Sequence, residues 1–319
     1  SFTPFKDGRL SGLTFVSAHS QTLLLARKTA ATLPIDDVLL VSTDVREQAS
    51  SGAAVVDATS GIWLRPQPAG HDPETRLTYS HEAHASWIAA LQYREEERLN
   101  GHIVTPGLRR PQIGALHAIQ AHWTTSIDPA TIVMPTGTGK TETMLATLIA
   151  ARPTCLLVVV PTDALRDQIA SKFISLGVLP DAGILSENAL FPVVTILKKR
   201  PQTIGEVQQL FSGTNVVVTT MSVAAGCPEH SQQAMASHTD ALIIDEAHHV
   251  SARTWTRFRR HFGGRPVLQF TATPFRSDRK QVDGKVIYSY PLRRAQEEGL
   301  FQRVAFKAVN EFDTAEADR

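Results

Sequence analysis

Cysteine is almost absent from this chain: Cys155 and Cys227 are the only two among 319 residues. Two isolated cysteines make neither a disulfide framework nor a cysteine zinc site. Cys155 opens the apolar run that ends at Val160 and reads as a buried thiol of the kind a reducing compartment keeps. No apolar run approaches the roughly 20 residues that span a bilayer. The opening Ser1-Phe2-Thr3-Pro4-Phe5-Lys6 lacks the charged-then-apolar order of a secretory signal. The expectation is a cytoplasmic protein with no membrane partner. Lysine is missing between Lys28 and Lys140, so an Asp…Glu-x-Lys metal-nuclease site cannot be written across that stretch. Internal repeats and low-complexity tracts are lacking too. His81-Glu82-Ala83-His84 has two histidines, but not the spacing or the further ligands of a zinc motif.

A strong charge of one sign is also lacking. The formal net charge is +1, with 42% hydrophobic and 20% charged residues, as in an ordinary globular chain. The balance is uneven along the sequence. Residues 1–107 hold nine Lys/Arg and twelve Asp/Glu, whereas residues 108–319 hold twenty-three and nineteen. The later part is mildly basic, which is compatible with a nucleic-acid partner but does not argue for one. The runs Lys198-Lys199-Arg200 and Arg253, Arg257, Arg259, Arg260, Arg265 read first as solvated faces.

The length suggests about two domains. From residue 108 onward, short runs rich in Val, Ile and Leu recur: Thr131–Met134, Leu156–Val160, Val193–Leu197, Val216–Thr220, Ala241–Ile244 and Val267–Thr271. They do not alternate with polar residues, and helix-length stretches separate several of them. Such runs suit strands of a parallel sheet covered on both faces, an α/β architecture with ligands at the C-terminal strand ends. In residues 1–107, Val38–Ser42 and Ala53–Asp57 read as strands and Glu82–Leu99 as a helix with Trp87, Ile88 and Leu91 on one face. Pro66–Gly70 and Thr105-Pro106-Gly107 read as loop or linker signals.

Two motifs carry chemistry. Met134-Pro135-Thr136-Gly137-Thr138-Gly139-Lys140-Thr141 follows an apolar strand and precedes a helical pattern. Strand, glycine-rich turn and helix N-terminus form a phosphate-binding loop, in which backbone N–H groups and the helix dipole hold the anion. Thr136, Gly137, Thr138 and Gly139 would surround phosphate, Lys140 would reach the outer phosphates, and Thr141 would hold Mg²⁺. The strict pattern begins with Gly, where this chain has Met134. The second motif is Ala241-Leu242-Ile243-Ile244-Asp245-Glu246-Ala247-His248, a buried strand that delivers two carboxylates. Asp245 would bind Mg²⁺ and Glu246 would orient the attacking water.

Taken together these motifs resemble motifs I and II of the DEAH-type superfamily 2 helicases and translocases, most closely the motors of type I and type III restriction enzymes. Leu108-Arg109-Arg110-Pro111-Gln112 is similar to the glutamine motif, which makes Gln112 the adenine reader and places Arg109 beside the nucleotide. Pro161–Gln168 looks like motif Ia and Thr219–Ser222 occupies the place of motif Ib. By this resemblance Pro161, Thr162, Arg166 and Thr220 line the nucleic-acid path. Thr271-Ala272-Thr273-Pro274 looks like motif III, so Thr271, Thr273 and His248 would couple hydrolysis to strand binding.

The resemblance spans roughly residues 108–308. It implies a RecA-like P-loop domain at 108–305, a smaller α/β accessory domain at 1–107, and the start of a linker at 306–319. The linker would lead to a second RecA-like domain that brings motifs IV to VI. The expected activity is ATP hydrolysis with Mg²⁺, driving movement along DNA. The alternatives are a nucleic-acid-binding switch or scaffold that does not unwind, an RNA helicase, or a P-loop ATPase of another kind. Nuclease or defence-system proteins are plausible partners by the same resemblance. No arginine is assigned a finger role, and His249 and residues 1–107 are left without one.

Overall fold

The structure is a computed structural model that describes residues 2–7, 10–16, 22–26, 38–40, 73–99, 102–186, 188–246, 252–273 and 284–300. Near the N-terminus, β1 (Phe2–Asp7), β2 (Leu10–Val16), β3 (Thr22–Ala26) and β4 (Val38–Leu40) form a four-stranded sheet in that order. Its first two pairings are antiparallel and β3–β4 is parallel. The strand expected from Val38 is β4; the one expected at Ala53–Asp57 lies outside the described residues.

The next segment corrects the sequence reading. The helix expected over Glu82–Leu99 is α1, and it runs from Pro73 to Ser86. Tertiary contacts stop it there. Ser86 Oγ donates to Ala83 O (2.6 Å) and accepts from Leu190 N (2.9 Å), and Trp87 Nε1 donates to Leu190 O (2.8 Å). Ala89 then takes a left-handed backbone (φ 52°). Trp87 is buried while Ile88 is exposed, so the expected common face is split. The charged end of the supposed helix is instead β5 (Glu97–Leu99), paired antiparallel with β6 (His102–Thr105).

The main body is a seven-stranded parallel sheet. Its strands are β7 (Ala130–Val133), β8 (Leu156–Val160), β9 (Val194–Leu197), β10 (Val216–Thr220), β11 (Ala241–Ile244), β12 (Val267–Thr271) and β13 (Lys285–Ser289). The spatial order is β13-β7-β12-β11-β8-β10-β9, and every pairing is parallel. All residues of β7, β8, β10, β11 and β12 are buried, which explains why these strands read as unbroken apolar runs.

The helices are α2 (Arg110–Thr125), α3 (Lys140–Ala151), α4 (Asp163–Ser175), α5 (Ile204–Phe211), α6 (Met221–Ala224), α7 (Glu229–Ser237), α8 (Ala252–Arg259) and α9 (Leu292–Glu297). Two apolar cores result. One includes Leu116, Ile132, Leu148, Val158 and Phe270; the other includes Leu157, Val217, Leu242, Phe258 and Phe262. Parallel strand ladders, both faces covered and helical crossovers make this a doubly wound α/β fold, the architecture expected of a RecA-like domain.

Residues 73–96, assigned by sequence to an accessory domain, pack into the first of these cores. Ala83, Trp87 and Ala90 sit in it with Leu116 and Ile119 of α2. Asn215, at the base of β10, binds both sides: its Oδ1 accepts from Val193 N (3.0 Å) and its Nδ2 donates to Ser80 O of α1 (3.0 Å). Leu91 bridges to Leu185, and Glu95 to Leu108.

Candidate nucleotide site

The sheet order brings the motifs together. The phosphate loop follows β7, Thr271–Thr273 end β12, and Asp245-Glu246 follow β11, and these three strands are neighbours. Three segments, the first more than a hundred residues before the other two, therefore end on one edge. Met134 N donates to Thr271 O (2.9 Å), which ties the start of the phosphate loop to the end of β12. Asp245 N donates to Val159 O (2.9 Å), which ties the carboxylate pair to β8.

The loop itself has the required backbone. Gly137 (φ 85°) and Gly139 (φ 93°) are left-handed, where a side chain is strained. A Cβ on Gly139 would lie 1.9 Å from Gln112 Nε2, so that position has no room either. Met134 is fully buried and has no left-handed backbone, so Gly is not needed where the strict pattern has it. Its Sδ sits 3.9 Å from Thr143 Oγ1 as core packing. Thr138 Oγ1 donates to Pro135 O (2.6 Å) and pins the turn from inside. Lys140 begins α3, and its ammonium contacts Glu246 Oε1.

Burial pushes the carboxyl of Asp245 up, to about 6; the Lys140 ammonium opposes this, the Glu246 carboxylate adds to it, and a hydrogen bond from Glu246 N lowers it. Glu246 holds a left-handed backbone (φ 50°). Arg152 and Leu176 share that conformation as C-caps of α3 and α4, a common use of it. Glu246 follows a strand, so its strain, of order 1–3 kcal/mol, marks a position held by its surroundings.

A cleft of about 450 Å³ runs along this edge. It is lined by the phosphate loop with Asp245 and Glu246, and by Glu96, Leu108, Arg109 and Gln112. This volume is in the range of small-ligand sites. Gln112 is 4% exposed. Its Oε1 accepts from Arg109 N (2.7 Å) and its Nε2 donates to Gly139 O (3.3 Å), so it joins the start of α2 to the phosphate loop. Arg109 Nη1 donates to Gly137 O (2.8 Å). Thr141 and Asp245, the two groups expected to share a metal ion, both line this cleft.

The residues expected on the nucleic-acid path are less open. Arg166 is 6% exposed, and its guanidinium is taken by Asp163 and by Asp167 (3.0 Å). All three of its nitrogens are already engaged by these carboxylates, which also neutralise its charge toward a phosphate backbone. Thr220 is buried and caps α6, with its Oγ1 accepting from Val223 N (3.3 Å). Thr162 caps α4 in the same way but is exposed, and Pro161 is half-buried. Thr271 Oγ1 donates to Thr273 O (2.7 Å), closing a tight turn at the end of β12. His248, Ala247, His249 and Pro274 lie outside the described residues, as does 306–319.

Two other sequence features take structural places. His84 Nε2 is 2.8 Å from Arg152 O, while His81 is exposed. Arg265 donates to Thr239 O (2.5 Å) and Ser237 O (3.2 Å) at the end of α7. Among the described residues no helix is long and apolar enough to cross a membrane. Sequence reading passed over Glu96, which stands nearly buried in the cleft wall.

Comparison with known proteins places this arrangement. No curated protein matches the chain in sequence. Among solved structures, the chain is similar to an ATP-dependent type ISP restriction-modification enzyme, LlaBIII bound to DNA, at 18% identity and a TM-score of 0.41. That likeness covers 63% of this chain and 16% of the enzyme's. It is also similar to the UvsW helicase from bacteriophage T4, at 14% identity and a TM-score of 0.38, covering 64% of each chain. The family model of the type III restriction enzyme res subunit matches residues 105–276, more than half of the chain. These residues contain the phosphate loop, the Asp-Glu pair and the Thr-Ala-Thr turn. The chain belongs to that family, as a superfamily 2 helicase-type motor domain related to restriction enzymes.

Proposed function

We propose that this chain is the ATP-binding half of a motor that hydrolyses ATP with Mg²⁺ to move along or remodel DNA. The observation that supports it most is the convergence of the phosphate loop, the Asp-Glu pair and the Thr271–Thr273 turn on three adjacent strand ends around one cleft. The residues fit a nucleoside triphosphate and its metal. Left-handed Gly137 and Gly139 keep side chains away from the phosphates, Lys140 supplies a cation at a helix N-terminus, and Thr141 with Asp245 offers oxygen ligands of the kind Mg²⁺ takes. When bound, the metal neutralises charge on the transferring phosphoryl group.

In this reading Glu246 orients water, Gln112 reads adenine, and Arg109 braces the phosphate loop through Gly137. Thr271, Thr273 and His248 couple hydrolysis to strand binding, with the Met134–Thr271 backbone bond as the physical link. Pro161 and Thr162 line the strand path, while Arg166 and Thr220 shape it from below. The motor unit takes in α1 from Pro73 onward, and a second RecA-like domain completes the site over the γ-phosphate.

The test is steady-state ATP hydrolysis by the chain with and without Mg²⁺, duplex DNA, single-stranded DNA and RNA, together with translocation and strand displacement by the protein carrying both motor domains. The chain alone is expected to hydrolyse ATP slowly, with Mg²⁺ and with little stimulation by DNA; full, DNA-stimulated hydrolysis is expected of the protein carrying both motor domains. Stimulation by RNA alone would make it an RNA motor. DNA-dependent hydrolysis without translocation or displacement would make it a switch.

Gln112→Ala is expected to have two separable effects. Losing the adenine reader lowers the preference for ATP over GTP. Losing the bonds to Arg109 N and Gly139 O loosens the phosphate loop and weakens both nucleotides, by about 2- to 10-fold per neutral hydrogen bond. Titrations with ATP and GTP separate them: an unchanged ratio leaves Gln112 as a loop anchor alone.

A further inference from the structure

The cleft wall beyond the phosphate loop carries a carboxylate to which no motif assigns a role. Glu96 lines the cleft, and its side chain is 9% exposed. The backbone fixes it there. Glu96 N donates to Leu108 O (2.8 Å) and Leu108 N to Arg94 O (2.7 Å). Gly107 comes so close that a Cβ on it would lie 2.6 Å from Arg94 O. The segment before β5 is thereby locked against the entry to α2.

The two arginines that reach Glu96 touch the same oxygen. Arg98 Nε lies 2.6 Å from Oε1, and Arg109 Nε lies 3.7 Å from it. Among the described residues Oε2 has no protein partner. Oε2 keeps solvent access in the cleft wall, so a ligand that fills the cleft can reach it and donate to it.

The position of that oxygen selects the donor. Arg109 contacts Glu96 through Nε and Gly137 O through Nη1 (2.8 Å), so one guanidinium separates the carboxylate from the phosphate loop. A carboxylate there repels polyphosphate oxygens and takes neutral O–H donors instead. In a nucleoside triphosphate the neutral O–H donors nearest the phosphates are the ribose hydroxyls.

We propose that Glu96 Oε2 accepts hydrogen bonds from the ribose hydroxyls of the bound nucleotide and makes the site selective for ribonucleotides over deoxyribonucleotides. The proposal rests on the nucleotide reading of the cleft. It makes Glu96 a specificity residue contributed from outside the recognised motifs, and it gives the β5–β6 hairpin the task of presenting it.

The experiment is calorimetric titration of the chain with ATP, 2′-deoxy-ATP and 3′-deoxy-ATP in Mg²⁺, for the wild type, Glu96→Ala and Glu96→Gln. The wild type is expected to bind ATP about tenfold or more tightly than at least one deoxy analogue, the size of a hydrogen bond to a charged acceptor. Glu96→Ala is expected to abolish that preference. Glu96→Gln keeps the side chain's shape, places an amide where the carboxylate stood, and is expected to cut the preference several-fold. Should the alanine variant fail to fold, the glutamine variant alone decides. Equal losses for all three nucleotides, with the ratios unchanged, would mean a structural role and overturn the proposal. A changed ATP/GTP ratio with unchanged deoxy ratios would move Glu96 to the base and overturn the ribose assignment. A wild-type chain that binds none of the three overturns the nucleotide reading as well; binding of ATP with unchanged ratios overturns only the role of Glu96.

Discussion

Glu246→Gln is expected to bind MgATP normally or slightly more tightly and to hydrolyse it about 10²–10⁴-fold more slowly. The change removes one charge and keeps the shape, so the left-handed backbone at residue 246 is no more strained than before. Asp245 and Thr141 remain for the metal. The affinity follows from the resting contact between Lys140 and Glu246. Lys140 must leave that carboxylate to meet phosphate, and a neutral amide releases it more easily. The rate follows from losing a group that positions and activates water, an effect of about 10²–10⁴ for a placed general base. Equilibrium binding and steady-state hydrolysis, measured on the same preparation, check both halves. If binding collapses along with turnover, Glu246 belongs to the nucleotide-holding residues and the division of labour between the two carboxylates is wrong.

Much of this site was legible because its motifs coincide with strand ends. Five of the seven parallel strands are buried along their whole length, and such strands announce themselves as unbroken Val/Ile/Leu runs. All six strands expected from residue 108 onward are found within a residue of their expected ends. The seventh, β13, is an edge strand: its Val-Ile-Tyr centre has strand character, but the run is short, half-exposed and opened by Lys285, so it lacks the unbroken apolar signature of the others. The helix placed at Glu82–Leu99 failed for a different reason. Its apolar spacing was real, but Trp87 is anchored by Leu190, a hundred residues away, and that tertiary contact ends the helix. The same limit applies within the site. The glycines, Lys140 and the Asp-Glu pair sit at fixed spacings and can be found in one dimension. Arg166 gave no local sign that Asp163 and Asp167 would occupy it rather than a phosphate, although the i, i+3 spacing to Asp163 made that pairing available. Glu96 was hidden in a charged run because its importance comes from the docking of a hairpin, not from its neighbours in sequence.

Lys140→Ala is expected to abolish ATP hydrolysis while leaving the fold intact. Alanine is the best helix former, so the first turn of α3 is not weakened by the exchange. The side chain that is lost is 10% exposed and carries the positive charge that sits between the phosphate loop and the carboxylate pair. Its removal has two consequences in the cleft. The phosphates lose the cation that backbone N–H groups cannot replace. Asp245, already pushed up by burial, loses the ammonium that opposed this shift, so it is protonated more readily and holds a metal ion less well. Losing one preorganised electrostatic donor costs about 10²–10³ in turnover, and here a full charge and part of the metal site are lost together, so the decrease is expected at or beyond the upper end. Circular dichroism and a melting curve should match the wild type, MgATP affinity should fall, and hydrolysis should drop to background. A folded Lys140→Ala protein that turns over ATP at the wild-type rate would show that the loop at Thr136–Thr141 does not carry the phosphates, and the nucleotide reading of this cleft would have to be given up.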